Sequence, residues 1–510
     1  MDIVALHAAS KPNAVALVEG DRSVTWAELA ALRNRCANAL ATLGLRAGER
    51  LVAYHGNSID GFVTSLGAQA LGLTVVPLNH RLTAHEARFI LEDCQAAALV
   101  HGEEFDAVVD ELERTPGETR HWIRFGDARG RRASLDELLA AASPELPADP
   151  APTAATMIYT SGTTGKPKGA LRTAASSLAQ MGYLQTLVRE LDLRVDDVHL
   201  AAGPLYHSAP RAFAGIAMAL GNTLVLMRKF DAARALDLIE RHAVGETFMA
   251  PVLIKRLLAL PDSAWQGRKL GSLHTLIVAG APCPMPIKRG VAERIGPVLY
   301  EFYGSTELGV NTLLKPADQL RKPGSCGQVF PGVAIRLLDA DGNDVPDGTP
   351  GELHVGRNQQ SFDGYHNRQR EGRDGASAEW ISVGDIAYRD AEGYYFICDR
   401  KNDMIISGGV NIYPAEIEQA LAEHPSIADA AVFAIPDDEW GESVHAVLEL
   451  EPGTRLSDAE IHAWLEPRLA HFKHPRSIER VERLPRDNAG KLLKRVLRDP
   501  FWAGRERRVN

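Results

Sequence analysis

Two residue pairs, Thr25 with Glu28 and Thr83 with Glu86, set the first constraint on this chain. In each, a hydroxyl stands three residues ahead of a carboxylate at the head of an apolar-periodic run, the signature of a capped helix start. The first run, WAELAALRNRCANALATLG, closes on Gly44, which can take the left-handed position past a helix end. Short apolar segments at LVAYH, LTVVPLN and AALVHG read as strands, and GFVTSLGAQALG reads as another helix. Such alternation predicts parallel sheets covered by helices.

At 510 residues and 45% hydrophobic, the chain can bury several cores, so more than one domain is expected. The stretch 140–155, AAASPELPADPAPTAA, has the composition of an exposed connector rather than a packed element and separates the first region from the glycine-rich stretch at 159–169. Beyond about Ile405 the rhythm changes. The order there is a helix at PAEIEQALAEH, strands at DAAVFAIP and SVHAVLELE, a helix capped by Ser457 and Glu460 that runs through IHAWLEPRLAHF, and a last strand at SIERVERL. The tail therefore reads as a small α+β domain. The fold class expected is α/β, with a large N-terminal domain of helix-covered sheets over 1–399 and a small mobile α+β C-terminal domain over 400–510.

Lysines and arginines number 56 against 66 acidic residues, and the resulting charge of -10 is spread without a long single-sign block. This argues against general nucleic-acid binding. The five cysteines are an odd number, lie far apart and form no C-x-x-C pair, which predicts neither a disulfide framework nor a structural zinc site and suits a reducing cytoplasm. No segment approaches the ~18 apolar residues of a spanning helix. The pairs His80/His85 and His471/His474 read as surface residues, because no third metal ligand is evident near them in sequence. There is no HExxH, G-x-S-x-G or G-x-G-x-x-G pattern.

Residues 159–169 read YTSGTTGKPKG. Glycines let backbone N–H groups approach an anion, hydroxyls add donors without bulk and lysines bring mobile charge, so the composition suits a polyphosphate. It is not a Walker A loop, since Gly162 to Gly165 is too short and Pro167 follows Lys166. Taken alone, a polar hairpin explains the same string.

Further motifs occur downstream, in this order: PLYHSAP (204–210), VAGAPCP (278–284), YGSTE (303–307), VGDIAY (383–388), DRKNDMIISGGVNIYPAEIE (399–418) and LPRDNAGKLLK (484–494). Together with the loop they resemble the adenylate-forming superfamily of acyl-CoA synthetases, adenylation domains and luciferases, over nearly the whole chain. The resemblance implies that ATP and a carboxylic acid give an acyl-adenylate with loss of pyrophosphate, after which CoA displaces AMP. Bringing a carboxylate to an anionic α-phosphate calls for positioning and fixed positive charge.

The resemblance also implies site roles. Thr160, Ser161, Gly162, Thr163, Thr164 and Gly165 would hold the β- and γ-phosphates, with Lys166 and Lys168 adding charge. Gly280, Ala281 and Pro282 would lie along the adenine, and Tyr303, beside Gly304, would stack on it. Thr306 would reach the α-phosphate, and Glu307, with Thr160, would hold Mg²⁺, a hard ion suited to oxygen donors. Asp385 would accept from the ribose hydroxyls, assisted by Arg400. Lys491 would bridge the acyl carboxylate and the α-phosphate. Asn402 would be the pivot of the small domain, a departure from the Asp or Lys common in relatives, and Gly408 and Gly409 would serve the thiol step. His207 matches a gate beside the acyl carboxylate.

No acidic residue lies between Pro204 and Arg211 to meet a substrate ammonium, so an α-amino acid is disfavoured. Ala209, Phe213, Ile216 and Met218 suit a fatty or aryl acid, and they equally suit a plain core. A stand-alone enzyme that loads an acyl carrier protein, a luciferase-like oxygenase and a non-catalytic nucleotide sensor are the competing readings. Retention of Glu307 and Lys491 weighs against the last. A homodimer is compatible with the sequence, which marks no interface patch.

Overall fold

The computed structural model describes residues 2–115, 117–147, 155–160, 167–173, 177–358, 363–366, 379–401, 403–408, 410–486 and 492–503, without the side chains of 160, 173 and 177–181. Both predicted capping boxes near the N-terminus form. Thr25 caps the helix Trp26–Thr42 and Thr83 caps Ala84–Asp93, each with its partner glutamate reaching back to the cap's own N–H at 2.8 Å. Gly44, just past the first helix, has φ +78°.

Among the described residues the strands form three sheets. In the eight-stranded sheet, Arg50–Tyr54, Thr74–Pro77, Ala96–His101 and His121–Arg124 run parallel, as the alternation predicts. The connector does not divide this sheet. Leu135–Ala141 is helical and Ala155 already begins the strand Ala155–Thr160, which pairs in parallel with Thr74–Pro77. In the thirteen-stranded sheet, Val15–Glu19, Thr223–Leu226, Val198–Ala201, Glu246–Phe248, Thr275–Val278 and Leu299–Ser305 are parallel neighbours, and antiparallel strands extend it to Ile335–Leu338.

The helices Trp26–Thr42 and Ile59–Ala70 share a core with strands of both large sheets, joining Leu17 and Leu224 of one to Leu51 and Val75 of the other. Their contact is close because Gly67 carries no side chain. A Cβ there would stand 2.5 Å from Cys36 Cβ.

The chain leaves the thirteen-stranded sheet after Tyr394–Arg400 and enters a five-stranded sheet at Ile405–Ser407. This sheet packs the helices Pro414–Ala422 and Asp458–Leu465 around its own core. The second helix stops at Leu465 rather than running through Phe472. Pro467 lacks the N–H that a continuing helix needs. His474, expected at the surface, is only 4% exposed, whereas His85 is exposed. No helix among the described residues is long and apolar enough to cross a membrane.

Candidate active site

The glycine-rich loop joins two antiparallel strands, Ala155–Thr160 and Lys168–Thr173, closed by the pair Thr160 and Lys168. Ser161, Gly162, Thr163, Thr164, Gly165 and Lys166, and the Thr160 side chain, lie outside the described residues. The hairpin's outer strand pairs with Gly364–Tyr365. Lys168 Nζ stands 5.2 Å over the Tyr365 ring, and the Tyr365 hydroxyl donates to Glu307 Oε1 at 2.9 Å. The stem of the loop is thereby tied to the carboxylate of the YGSTE motif.

That motif occupies a hairpin between Leu299–Ser305 and Gly309–Leu314, with an irregular register between Tyr303 and Gly304. Only glycine fits at 304, where a Cβ would lie 2.0 Å from the carbonyl oxygen of Gly309. Glu307 is 8% exposed at the hairpin tip. The neighbouring Thr306 carbonyl accepts from Arg172 Nε at 3.0 Å and Nη2 at 2.7 Å. Burial holds the Arg172 guanidinium below its ordinary pKa, opposed by the nearby Tyr183 and Glu307. Sequence reasoning passed over Arg172 and Tyr365, and nothing in their local sequence signals either contact.

Asp385 and Arg400 are direct cross-strand partners, with Arg400 Nε 3.5 Å from Asp385 Oδ1. Tyr303 donates its hydroxyl to Asp385 Oδ2 at 2.5 Å. Burial and then the Asp385 charge push the Tyr303 phenol well above its usual pKa, so it stays a donor. Residues assigned separately to adenine and ribose thus form one linked corner. Gly280, with φ +88°, turns the chain after Thr275–Val278 so that Gly280, Ala281 and Pro282 line the same cleft. Behind this turn a buried ion pair, Lys288 Nζ to Glu301 Oε2 at 2.5 Å, couples the helix Met285–Arg294 to the strand that carries Tyr303.

His207 precedes the helix Ser208–Ala219 in extended backbone and makes no capping bond with its side chain. Its ring packs on Tyr206 at 4.2 Å, and Tyr206 meets His80 edge-on at 4.8 Å. Ala209, Phe213 and Ile216 face the cleft, whereas Met218 belongs to the core between the large sheets. Phe213, Phe248 and Phe302 stand 5.7 to 6.4 Å apart, centroid to centroid, in the cleft wall.

Asn402, Gly409 and Lys491 lie outside the described residues. Their neighbours are placed. Gly408, with φ +58°, lies against Trp440, where a Cβ would come within 2.5 Å of the indole. A bridge between Arg486 and Leu492 brackets the segment that carries Lys491. Beyond it, Lys494 enters a buried cluster, 2.9 Å from Glu418 and 4.0 Å from Asp399, and Arg498 reaches Asp403 at 2.9 Å. Burial raises the Asp399 and Glu418 carboxyls, and Lys494 opposes the rise. The cleft runs on from Tyr303 and Asp385 to Leu492, Leu493 and Lys494.

Comparison with known proteins accords with this geometry. Residues 4–366 match the AMP-binding enzyme family and residues 416–491 match the AMP-binding enzyme C-terminal domain. The chain is 33% identical over 512 residues to the fatty acid–[acyl-carrier-protein] ligase ScoC of Streptomyces coeruleorubidus, covering 99% of this chain and 96% of ScoC. It is 35% identical over 497 residues to the indoleacetate–CoA ligase of Aromatoleum aromaticum, covering 96% and 95%. The crystal structure of the anthranilate CoA ligase AuaEII in complex with anthranoyl-AMP superposes with a TM-score of 0.88 at 27% identity, over 98% of this chain and 96% of that one. The chain belongs to the AMP-binding enzyme family, as an adenylate-forming acid–thiol ligase of the acyl-CoA synthetase branch.

Proposed function

We propose that this enzyme activates an aryl or short branched carboxylic acid and passes it to CoA. In the first step the acid's carboxylate oxygen attacks the α-phosphorus of ATP and pyrophosphate leaves. In the second the CoA sulfur attacks the acyl carbonyl carbon, the thiol proton is lost and AMP leaves. The convergence of Lys168, Tyr365, Glu307, Tyr303, Asp385 and Arg400 on one cleft carries this reading.

Tyr303, with the Gly280–Pro282 turn, is the adenine platform, and Asp385 with Arg400 is the ribose anchor. The 160–166 loop takes the β- and γ-phosphates, and Lys168 lies at its base. Thr306 meets the α-phosphate, and Lys491 neutralises it against the incoming carboxylate. His207 orients that carboxylate. A buried carboxylate, linked through Tyr365 to Lys168 at the stem of a hydroxyl-rich sequence, is a donor set that fits Mg²⁺. Glu307 with Thr160 would hold the ion, which when bound offsets phosphate charge.

The acid class is supported by the clustered Phe213, Phe248 and Phe302, which give the cleft an aromatic wall suited to a ring or a compact apolar group. The boundary between the two domains is taken at residues 399 and 400, with Asn402 as the pivot that swings Lys491 out and Gly408 and Gly409 in for the thiol step. Five unpaired cysteines suit a cytoplasmic setting.

Transfer to an acyl carrier protein is the second reading, supported by the likeness to ScoC. A pyrophosphate-release screen over aryl, branched and fatty acids tests the proposal, with CoA or a phosphopantetheinyl carrier as acceptor. Fastest turnover with an aryl or branched acid and CoA is expected. Preference for a long alkyl acid would reject the acid class, and discharge by the carrier alone would reject CoA.

A further inference from the structure

We infer that the small domain carries a surface Zn²⁺ site built from Glu466, His471 and His474, separate from the nucleotide cleft chemistry. These three side chains each offer one ligand atom, and the three atoms lie within 4.8 Å of one another. The sequence shows E-x₄-H-x₂-H, but only the fold makes it a cluster. After the helix Asp458–Leu465 stops, the chain folds back through a short 3₁₀ turn, His471–Lys473, and returns His474 beneath His471, ring centroids 5.3 Å apart.

His474 is prepared as a ligand. Its Nε2–H donates to the Leu469 carbonyl at 3.1 Å, which leaves the lone pair on Nδ1. That nitrogen is buried and has no hydrogen-bond partner among the described residues. A metal-bound histidine ordinarily has this arrangement, with one nitrogen anchored to a carbonyl and the other on the ion. His471 Nδ1 stands 4.0 Å from Glu466 Oε2, and both side chains are largely exposed, so small rotations close the cluster on an ion. The site lies at the C-terminal end of a helix, where the backbone carbonyls favour positive charge. The intervening Lys473 is held away by Glu416 at 2.7 Å.

Two imidazole nitrogens and one carboxylate oxygen suit Zn²⁺, with water in the fourth position. A bound ion would brace residues 466–474, the loop that holds Lys473 on Glu416 and leads into the strand Ser477–Val481.

The test uses the full chain, stripped with a chelator and free of nucleotide. Zn²⁺ is titrated in competition with a chromogenic chelator, Co²⁺ binding is followed by its visible absorption, and thermal unfolding is recorded with and without Zn²⁺. One Zn²⁺ per chain is expected, with the absorption of a four-coordinate Co²⁺ site and a higher unfolding temperature in Zn²⁺. His471→Ala and Glu466→Gln alter exposed side chains and so preserve the fold. Each is expected to weaken Zn²⁺ binding by at least about tenfold, the loss that removal of a supporting contact alone can bring. Failure of the unaltered protein to bind a stoichiometric ion, or wild-type affinity in both variants, overturns the site.

Discussion

The Tyr303 hydroxyl donates to Asp385 Oδ2 at 2.5 Å, so the residue proposed to carry the adenine also orients the carboxylate proposed to hold the ribose. Asp385 is only 7% exposed, and a hydrogen bond to a buried charged group contributes about 1.5–3 kcal/mol. Tyr303→Phe keeps the ring and removes that bond. The KM for ATP is expected to rise about tenfold or more, with a smaller change in kcat. Steady-state kinetics at saturating acid and CoA measure the split, and an unchanged KM would show that Asp385 does not depend on Tyr303.

Arg172 grips the peptide that joins Thr306 to Glu307 through two hydrogen bonds to one carbonyl. Without them the turn loses its tether to the strand Lys168–Thr173 that leaves the glycine-rich loop. Arg172→Leu is expected to reduce acid-dependent pyrophosphate exchange about 10–100-fold, the equivalent of about 1.5–3 kcal/mol. Arg172→Lys keeps the charge and loses the fork, so it should recover only part of the rate. Circular dichroism of both variants separates this effect from loss of fold.

Lys491→Ala is expected to stop pyrophosphate exchange while leaving conversion of supplied acyl-adenylate to thioester. Asn402→Pro should have the opposite bias and slow the thiol step more than adenylation. Measuring both half-reactions in each variant checks the division. Equal losses in the two half-reactions would refute it.

His55 links stability to pH. Burial presses its imidazole down to about 4 from an ordinary 6.5, and the nearby Arg211 acts the same way. The unfolded chain therefore takes up a proton between pH 6.5 and 4 that the folded chain refuses. The stability due to neutral His55 is present above pH 6.5 and is lost as pH falls toward 4. Denaturant unfolding across that range should show a shallower decline for His55→Gln than for the unaltered protein. Parallel curves would mean that His55 does not contribute to the acid loss.

Helix starts were legible in the sequence because their causes are local. Thr25 and Glu28 satisfy each other's backbone three residues apart, whatever the rest of the chain does. The same holds for Gly44 past its helix, whose φ of +78° meets the local need of a helix end. Other features depend on strand register and sheet order, which no local string encodes. Arg172 meets Thr306 across 134 residues, Tyr365 reaches Glu307 across 58, and Tyr303 finds Asp385 across 82. Met218 and Phe213 lie on one helix with the same apolar character, yet packing between two sheets sends one into the core and the other to the cleft. Residue type and short spacing determined which chemistry this chain can perform. The tertiary structure decided which partners hold each group in place, because such contacts exist only once distant strands have paired.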